Sequence, residues 1–428
     1  MIASALWGAS PAPTFYKDVL PILQKNCQGC HRAGEAAPMS LLTYKEARPW
    51  AASISEAVLS KKMPPWGADS AVGKFANDRS LSDNDIRVIA NWSAARAPEG
   101  NPKDAPAPVH FVEGWNIGKP DLVVQMPKAY EIPARGTVEY TYYVVPSGFT
   151  EDKWVSAVEI RPNNRALIHH IIVFLREPGS KWLPDAKPGE AYVPPLVKDE
   201  KTGRESRDDG QQGEFLVGYA PGVPAEKLDA GQAKLIKANS DLVFQVHYTA
   251  NGTAGRDQSK IGIIFASESP KERVLTAAAA NGDFAIPPDN ADYPVSSKMT
   301  FYGDATIRSY APHMHMRGKS FRFDLVKPDG TRETLLNVPH YDFNWQHRYR
   351  PVTPLKVTAG TAIECFATYD NSANNPYNPD PKSEVHWGDQ TWNEMMIGFM
   401  DVAFDAKKTP DDIFSEPKPA GQTAELRP

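Results

Sequence analysis

Tyr-Ala-Pro-His-Met-His-Met-Arg-Gly-Lys, residues 310–319, is the stretch around which the reading turns. His313 and His315 are two apart, and in an extended strand residues i and i+2 face the same side. Two imidazoles would then leave one sheet face side by side, able to share a metal ion. A lone His-x-His has a plainer explanation, with the two rings facing solvent or satisfied separately in a core. What shifts the balance is the rest of the chain.

The chain has 428 residues, of which 41% are hydrophobic and 23% charged, and a net charge of −5. This is the composition of an ordinary globular protein of several domains. With no basic block, nucleic acid is excluded as an expected partner. No apolar run reaches the roughly 20 residues that span a bilayer. The 39 prolines and 29 glycines suit short strands joined by turns. The three cysteines do not make a disulfide framework. Residues 1–13 are small and apolar without a basic n-region, and read as a signal remnant or a disordered N-terminus.

Two of the cysteines lie in Cys27-Gln-Gly-Cys30-His31, the attachment motif of c-type haem. Two thiols one helical turn apart can add to the two porphyrin vinyl groups, and His31 then reaches the iron. A zinc site would need further Cys or His nearby, and none follows before His110. A redox CxxC would need a βαβ context, which this region lacks. Three helices are expected around the motif: 15–27 with Phe15, Val19, Leu20 and Leu23; 43–59 with Trp50, Ile54 and Val58 on one stripe; and 82–95 with a Ser82 N-cap, Ile86, Ile89 and Trp92. A thioether suits the sixth iron position and raises the potential. Met63, in Lys-Met-Pro-Pro, is the expected axial ligand, with Met39 the rival only eight residues past His31. Residues 14–100 thus resemble a class I cytochrome c. Residues 101–120 open with Asn-Pro-Lys-Asp-Ala-Pro-Ala-Pro, an extended linker.

From residue 121 the pattern changes to strands, expected at 137–145, 154–160, 166–174, 242–248, 306–310, 321–326, 362–369 and 396–404. In the first of these, Val138, Tyr140, Tyr142 and Val144 share a face. Three hundred residues of short strands suggest two antiparallel β-sandwiches in tandem, 121–268 and 269–415, with a tail at 416–428. Residues 198–212, charged and containing Gly, read as a mobile surface loop. Further candidate ligands stand in His169-His170, within an apolar strand, in Gln-Val-His247-Tyr, and at Met395 in Asn-Glu-Met-Met. Neighbours in a regular strand face opposite ways. His169 and His170 can therefore serve one metal only if a bulge or strong twist turns one of them; otherwise one is buried and the other exposed.

Taken together, five ordered motifs make 121–406 resemble the copper type II, ascorbate-dependent monooxygenases, which include the peptidylglycine α-hydroxylating and dopamine β-enzymes. They are HHIIVF at 169–174, VGYAPG at 217–222, QVHY at 245–248, HMHMRGK at 313–319 and NEMM at 393–396. The resemblance implies two jelly-roll sandwiches facing across a cleft, with one copper in each. It implies His169, His170 and His247 for an electron-storing copper, and His313, His315 and Met395 for an oxygen-binding, catalytic copper. A soft thioether favours Cu(I), and imidazole suits both copper oxidation states. Where the peptide-hydroxylating members hold a substrate carboxylate, this chain has Ala311, Ile397 and Phe399. The implied substrate is therefore not a glycine-extended peptide but a small, less polar molecule.

The expectation is an enzyme that hydroxylates a C–H bond with O2, its electrons passing from an external donor through the fused haem c to two coppers. The alternative is a non-catalytic copper-binding or electron-transfer protein. Both cofactors imply a periplasmic or secreted, bacterial location.

Overall fold

The computed structural model describes residues 11–35, 37–198, 205–207 and 213–417. The first ten residues and the last eleven, which hold parts of the expected N-terminal segment and tail, lie outside them. The chain divides into two compact units. The smaller is made of residues up to Trp66 together with Asp78–Glu113, and the larger of Gly67–Asn77 with everything from Gly114. Most of the 101–120 passage expected as a linker therefore belongs to the smaller unit, and a short piece between its helices belongs to the larger one.

The smaller unit is helical. Its α-helices are α1 (Leu20–Asn26), α2 (Tyr44–Ala47), α3 (Ala51–Leu59) and α4 (Asp83–Ala94), with one π turn, Phe15–Val19, running into α1. The Ser82 hydroxyl accepts from the amide of Asp85 and starts α4, as its sequence position requires. The expected single helix over 43–59 is broken instead. A capping box between Thr43 and Glu46 starts α2. Pro49 then lacks an amide to continue the ladder, and a 3₁₀ turn, Arg48–Trp50, intervenes before α3. That turn leaves Trp50 44% exposed rather than on the buried stripe. Phe15, Leu23, Ile54, Val58, Ile89 and Trp92 form the apolar centre.

The larger unit is almost all β. Its main strands are β1 (Leu122–Gln125), β2 (Thr141–Pro146), β3 (Lys153–Arg161), β4 (Ile168–Arg176), β5 (Glu214–Tyr219), β6 (Gln232–Ile236), β7 (Asp241–Tyr248) and β8 (Lys260–Phe265). They continue with β9 (Glu272–Ala280), β10 (Tyr293–Thr300), β11 (Ala305–His313), β12 (Gly318–Val326), β13 (Arg332–Val338), β14 (Leu355–Val357), β15 (Ala362–Tyr369) and β16 (Ile397–Asp405). One sheet runs β1-β8-β3-β6-β9-β16-β11-β14. A second joins Ala191–Tyr192 to β2-β7-β4-β5, and a third is β10-β15-β12-β13. The second sheet packs on the β1-β8-β3-β6 half of the first through Ile171, Val173, Phe244 and Val246 against Val155, Val158, Ile261 and Ile263. The third packs on the β16-β11 half, where Tyr310 meets Phe323 at 5.4 Å between ring centres.

The break expected near residue 269 falls between β8 and β9. There the two halves are not separate sheets, because β6 and β9 pair in parallel, Gln232 with Glu272 and Ala233 with Arg273. Alternation in β2 starts only at Thr141: Tyr140, Tyr142 and Val144 share one cluster while Val138 joins the opposite one. Within the passage expected as a surface loop, Glu205–Arg207 pairs with Leu196–Lys198, and the rest of it lies outside the described residues. No helix among the described residues is long and apolar enough to cross a membrane.

Packing between the C-terminal layers is tight at Gly398 of β16. A Cβ placed there would meet the Cys365 sulfur at 2.4 Å and the Phe323 ring at 2.9 Å. Gly398→Ala should cost about 1–3 kcal/mol, the range of core overpacking. It should be read as a lower urea midpoint, of which Cys365→Ala in the same chain recovers a part.

Candidate metal centre

Three imidazoles come together through a register slip. Along β4 and β7, His247 pairs with His170, and the next pair is Tyr248 with Ile168. His169 is the extra residue of a β-bulge. A bulge leaves one residue outside the ladder and turns the strand locally, which removes the obstacle that a regular strand would pose to adjacent ligands. The His169 and His170 Nδ1 atoms face each other at 3.1 Å. One nitrogen from each of His169, His170 and His247 lies within 4.8 Å of the others. Their ring centres are 5.0 to 5.4 Å apart. Tyr140 closes over two of them, 5.5 Å from His170 and 4.6 Å from His247.

Burial keeps these rings neutral. It pushes His169 down to about 4 and His247 to about 3, with neighbouring imidazoles adding to the effect, and it holds His170 well below the usual range. A neutral imidazole has a free lone pair. The His247 Nδ1 is buried and without a hydrogen-bond partner among the described residues. A buried polar atom with no partner is costly unless something binds it.

The second pair sits at the end of β11. His313 and His315 have ring centres 5.2 Å apart, at 89°. Each is anchored through Nδ1. The His313 Nδ1–H donates to Gln346 Oε1 at 2.8 Å, and the His315 Nδ1–H donates to the Asn393 carbonyl at 3.3 Å. Anchoring one nitrogen fixes the tautomer and leaves Nε2 as the lone-pair atom. The His315 Nε2 is indeed buried and unpartnered among the described residues. Burial is again the main cause that lowers both rings.

The neighbouring turn is held by Glu394. This fully buried carboxylate accepts from the amides of His315 at 2.8 Å and Arg317 at 2.6 Å. Burial raises it to about 8 against the pull of those donors and of the Arg317 charge. Met395 follows it and borders the same cavity as His313, whereas Met396 is wholly buried in the core. Met395 is therefore the one of the two available as a ligand.

Phe343 lies between the two groups. Its ring stacks on His169 at 4.6 Å and 17°, and stands edge-on to His315 at 5.8 Å and 84°. It belongs to the 339–350 passage, which also supplies Gln346 and Tyr341, whose hydroxyl donates to the Met314 carbonyl at 2.8 Å. Nothing in the sequence marks Gln346 and Phe343, because a Gln and a Phe in a turn carry no spacing signal. Glu394 was visible within NEMM. His110, His340, His347 and His386 are not part of the three-imidazole cluster.

In the helical unit, α1 ends at Cys27, and the amides of Cys30 and His31 both donate to the Cys27 carbonyl. The His31 Nδ1–H donates to the Met39 carbonyl at 3.3 Å, which leaves Nε2 free. Cys27 and Cys30 are free thiols, and burial pushes Cys27 up to about 12. The Met39 side chain packs against the apolar centre; Met63 follows α3, half-buried.

No family model matches this chain, and no curated protein does. Among solved structures it is similar to infectious bursal disease virus, Gt strain, at 11% identity over 69% of this chain and 75% of that one, with a TM-score of 0.19. It is also similar to PNGF-II at 10% identity over 66% of this chain and 60% of that one, with a TM-score of 0.23. Likeness this slight supports no conclusion about the fold or the site.

Because the folded rings titrate below free histidine, the metal-free protein loses stability as pH falls. Between about 6.5 and 4 the unfolded chain takes up protons that folded His169 and His247 do not. Thermal melts from pH 7 to 4 should show a steep fall in midpoint. The H169N/H247N variant should show a shallower one; equal slopes would mean that other groups set the pH dependence.

Proposed function

We propose that the larger unit is a dicopper monooxygenase, which hydroxylates a C–H bond of a small, rather apolar organic substrate with O2. We further propose that the smaller unit is a class I cytochrome c feeding it electrons. The bulge at His169 is the observation that carries the reading. It turns two adjacent histidines toward His247 at a place where an ordinary strand would part them, one phenyl ring from a second imidazole pair.

The donor set fits copper. His169, His170 and His247 would hold one ion, and His313, His315 and Met395 the other. Among the described residues no thiol or carboxylate joins the three-imidazole cluster, and Glu394, beside Met395, is engaged with backbone amides. Imidazole with thioether selects copper over the hard cations and over zinc. In the smaller unit Cys27 and Cys30 would carry the haem, with His31 and Met63 on its iron. When bound, copper supplies one-electron storage and oxygen activation, and haem supplies single-electron exchange.

The chain's own contribution is placement. Gln346 and the Asn393 carbonyl fix the ring planes of His313 and His315 and keep their Nε2 atoms unprotonated. The paired amides of His315 and Arg317 on Glu394 set the distance between the His-x-His turn and Met395. Phe343 and Tyr140 exclude water from the imidazoles and keep their low basicity. Overall, substrate, O2, two electrons and two protons give the hydroxylated substrate and water. An external donor, a reduced periplasmic carrier or an ascorbate-like reductant, supplies the electrons. The two sandwiches would be jelly rolls, and the protein would work outside the cytoplasm, where haem attachment and copper loading take place.

With both metals loaded, the protein should bind two coppers and one haem, and consume O2 only when a substrate is present. Met395→Ile should abolish that uptake while leaving one copper bound. Uptake unchanged in this variant would remove Met395 as a ligand of the oxygen-binding copper; copper binding without any substrate-dependent uptake would instead support a copper or electron carrier. Stopped-flow mixing of reduced protein with substrate and O2 should show haem oxidation in step with product. Haem that stays reduced while product forms would sink the electron-feeding role.

A further inference from the structure

A cavity of about 500 Å3 opens beside His313 and Met395, within the range of small-molecule sites. One wall is a run of aromatic rings in mutual contact. Phe174 meets Phe215 at 5.9 Å and 87°, Phe215 meets Phe399 at 6.2 Å, and Phe399 meets His313 at 6.1 Å. The wall thus leads from β4 and β5 to the imidazole itself. Edge and tilted ring arrangements of this kind favour a flat aromatic partner.

The charged groups around this wall are already engaged. Arg348 is held between Glu226 at 3.2 Å and Asp401 at 3.0 Å. Asp401 also accepts from Thr276 at 2.8 Å and from Ser309. Asp389, which borders the cavity too, is not free. Glu214 forms an ion pair with Arg273 through Oε2. Its second oxygen, Oε1, is different. The Glu214 side chain borders the cavity, and its Oε1 is buried and accepts no hydrogen bond among the described residues. Burial raises the Glu214 carboxyl above the usual range, as expected of an oxygen lacking donors. Glu214 pairs in register with Leu175, five residues along β4 from His170. At about 3.3 Å per residue it lies roughly 16 Å along the strand from the imidazoles.

We infer that this cavity binds a neutral aromatic molecule of one or two fused rings. Its ring lies along the Phe215–Phe399 wall, and a single neutral donor, a hydroxyl or amide N–H, satisfies Glu214 Oε1. The assignment rests on the monooxygenase reading for what happens to the molecule, and on the cavity alone for its binding. A carboxylate ligand is disfavoured, because Glu214 and Asp401 border the cavity and Arg348 has no spare charge for it. A cation is disfavoured because Arg273 already neutralises Glu214.

The test is calorimetry on the full-length, copper-loaded protein with a matched series of naphthalenes. 2-Naphthol should bind about tenfold tighter than 2-methoxynaphthalene, which keeps the rings but lacks the donor, as expected for one hydrogen bond to a charged acceptor. 2-Naphthoate should bind more weakly than either. Glu214→Leu should erase the difference between naphthol and its methyl ether. Phe399→Ala should weaken both by about the same factor.

Equal affinity for naphthol and the ether, tighter binding of naphthoate or of 2-(2-naphthyl)ethylamine, or no binding in the series would each overturn the assignment. The wild-type series decides even if Glu214→Leu proves unstable. Copper content measured on the same sample keeps the two proposals apart. Two coppers with no naphthalene bound removes only the cavity assignment. Naphthol bound with the expected selectivity, but no copper taken up, upholds the cavity and removes the oxygenase reading.

Discussion

One unpaired residue in a ladder governs this site. The slip between His247–His170 and Tyr248–Ile168 costs β4 and β7 regular hydrogen bonding at His169, and in return three neutral imidazoles share a few ångströms. Burying three polar rings together is unfavourable unless each finds a partner. Here the desolvation shows in their depressed basicity and in a His247 nitrogen without a partner among the described residues. Local irregularity and a buried imidazole nitrogen without a partner among the described residues thus coincide at one place.

The second imidazole pair is built by different means. Here β11 ends at His313, so His315 lies just past the strand, and the pair is held by hydrogen bonds from elsewhere. Gln346 and the Asn393 carbonyl fix the rings, and Glu394 ties the turn at His315 and Arg317 to the segment carrying Met395. The anchor atoms are far apart in the chain and meet because β11 pairs with β16, His313 opposite Ile397, and bridges to the 339–350 passage at Tyr310 and Tyr349. A strand end and a loop fixed by hydrogen bonds thus achieve what a bulge achieves in the other half. Phe343 touches both imidazole groups, and its stacking on His169 makes the 339–350 passage part of both environments.

Much of this was legible in advance. The α4 cap at Ser82 and half of the main β strands follow from local pattern, because capping and alternation are short-range effects. The requirement for a bulge at His169-His170 follows from strand geometry, although whether the chain meets it does not. Other points were hidden for physical reasons. Pro49 inside an otherwise helical pattern moved Trp50 to the surface. The parallel pairing of β6 with β9 fused two sheets that the strand pattern alone would keep apart, because pairing between distant strands leaves no mark in either. Gln346 and Phe343 stand in a turn without periodicity.

The sequence by itself determined the residue types and their spacing: a Cys-x-x-Cys-His, an adjacent histidine pair, a His-x-His and a Met after a Glu. It also determined a β-rich body preceded by short helices, because hydrophobic periodicity acts over neighbouring residues. Only the tertiary structure decided that His169, His170 and His247 converge, that Met395 rather than Met396 borders the cavity, and that an aromatic wall runs from Phe174 to His313. Those outcomes depend on strand register and on loops that pack against it, and register is an agreement between segments up to a hundred residues or more apart in the chain.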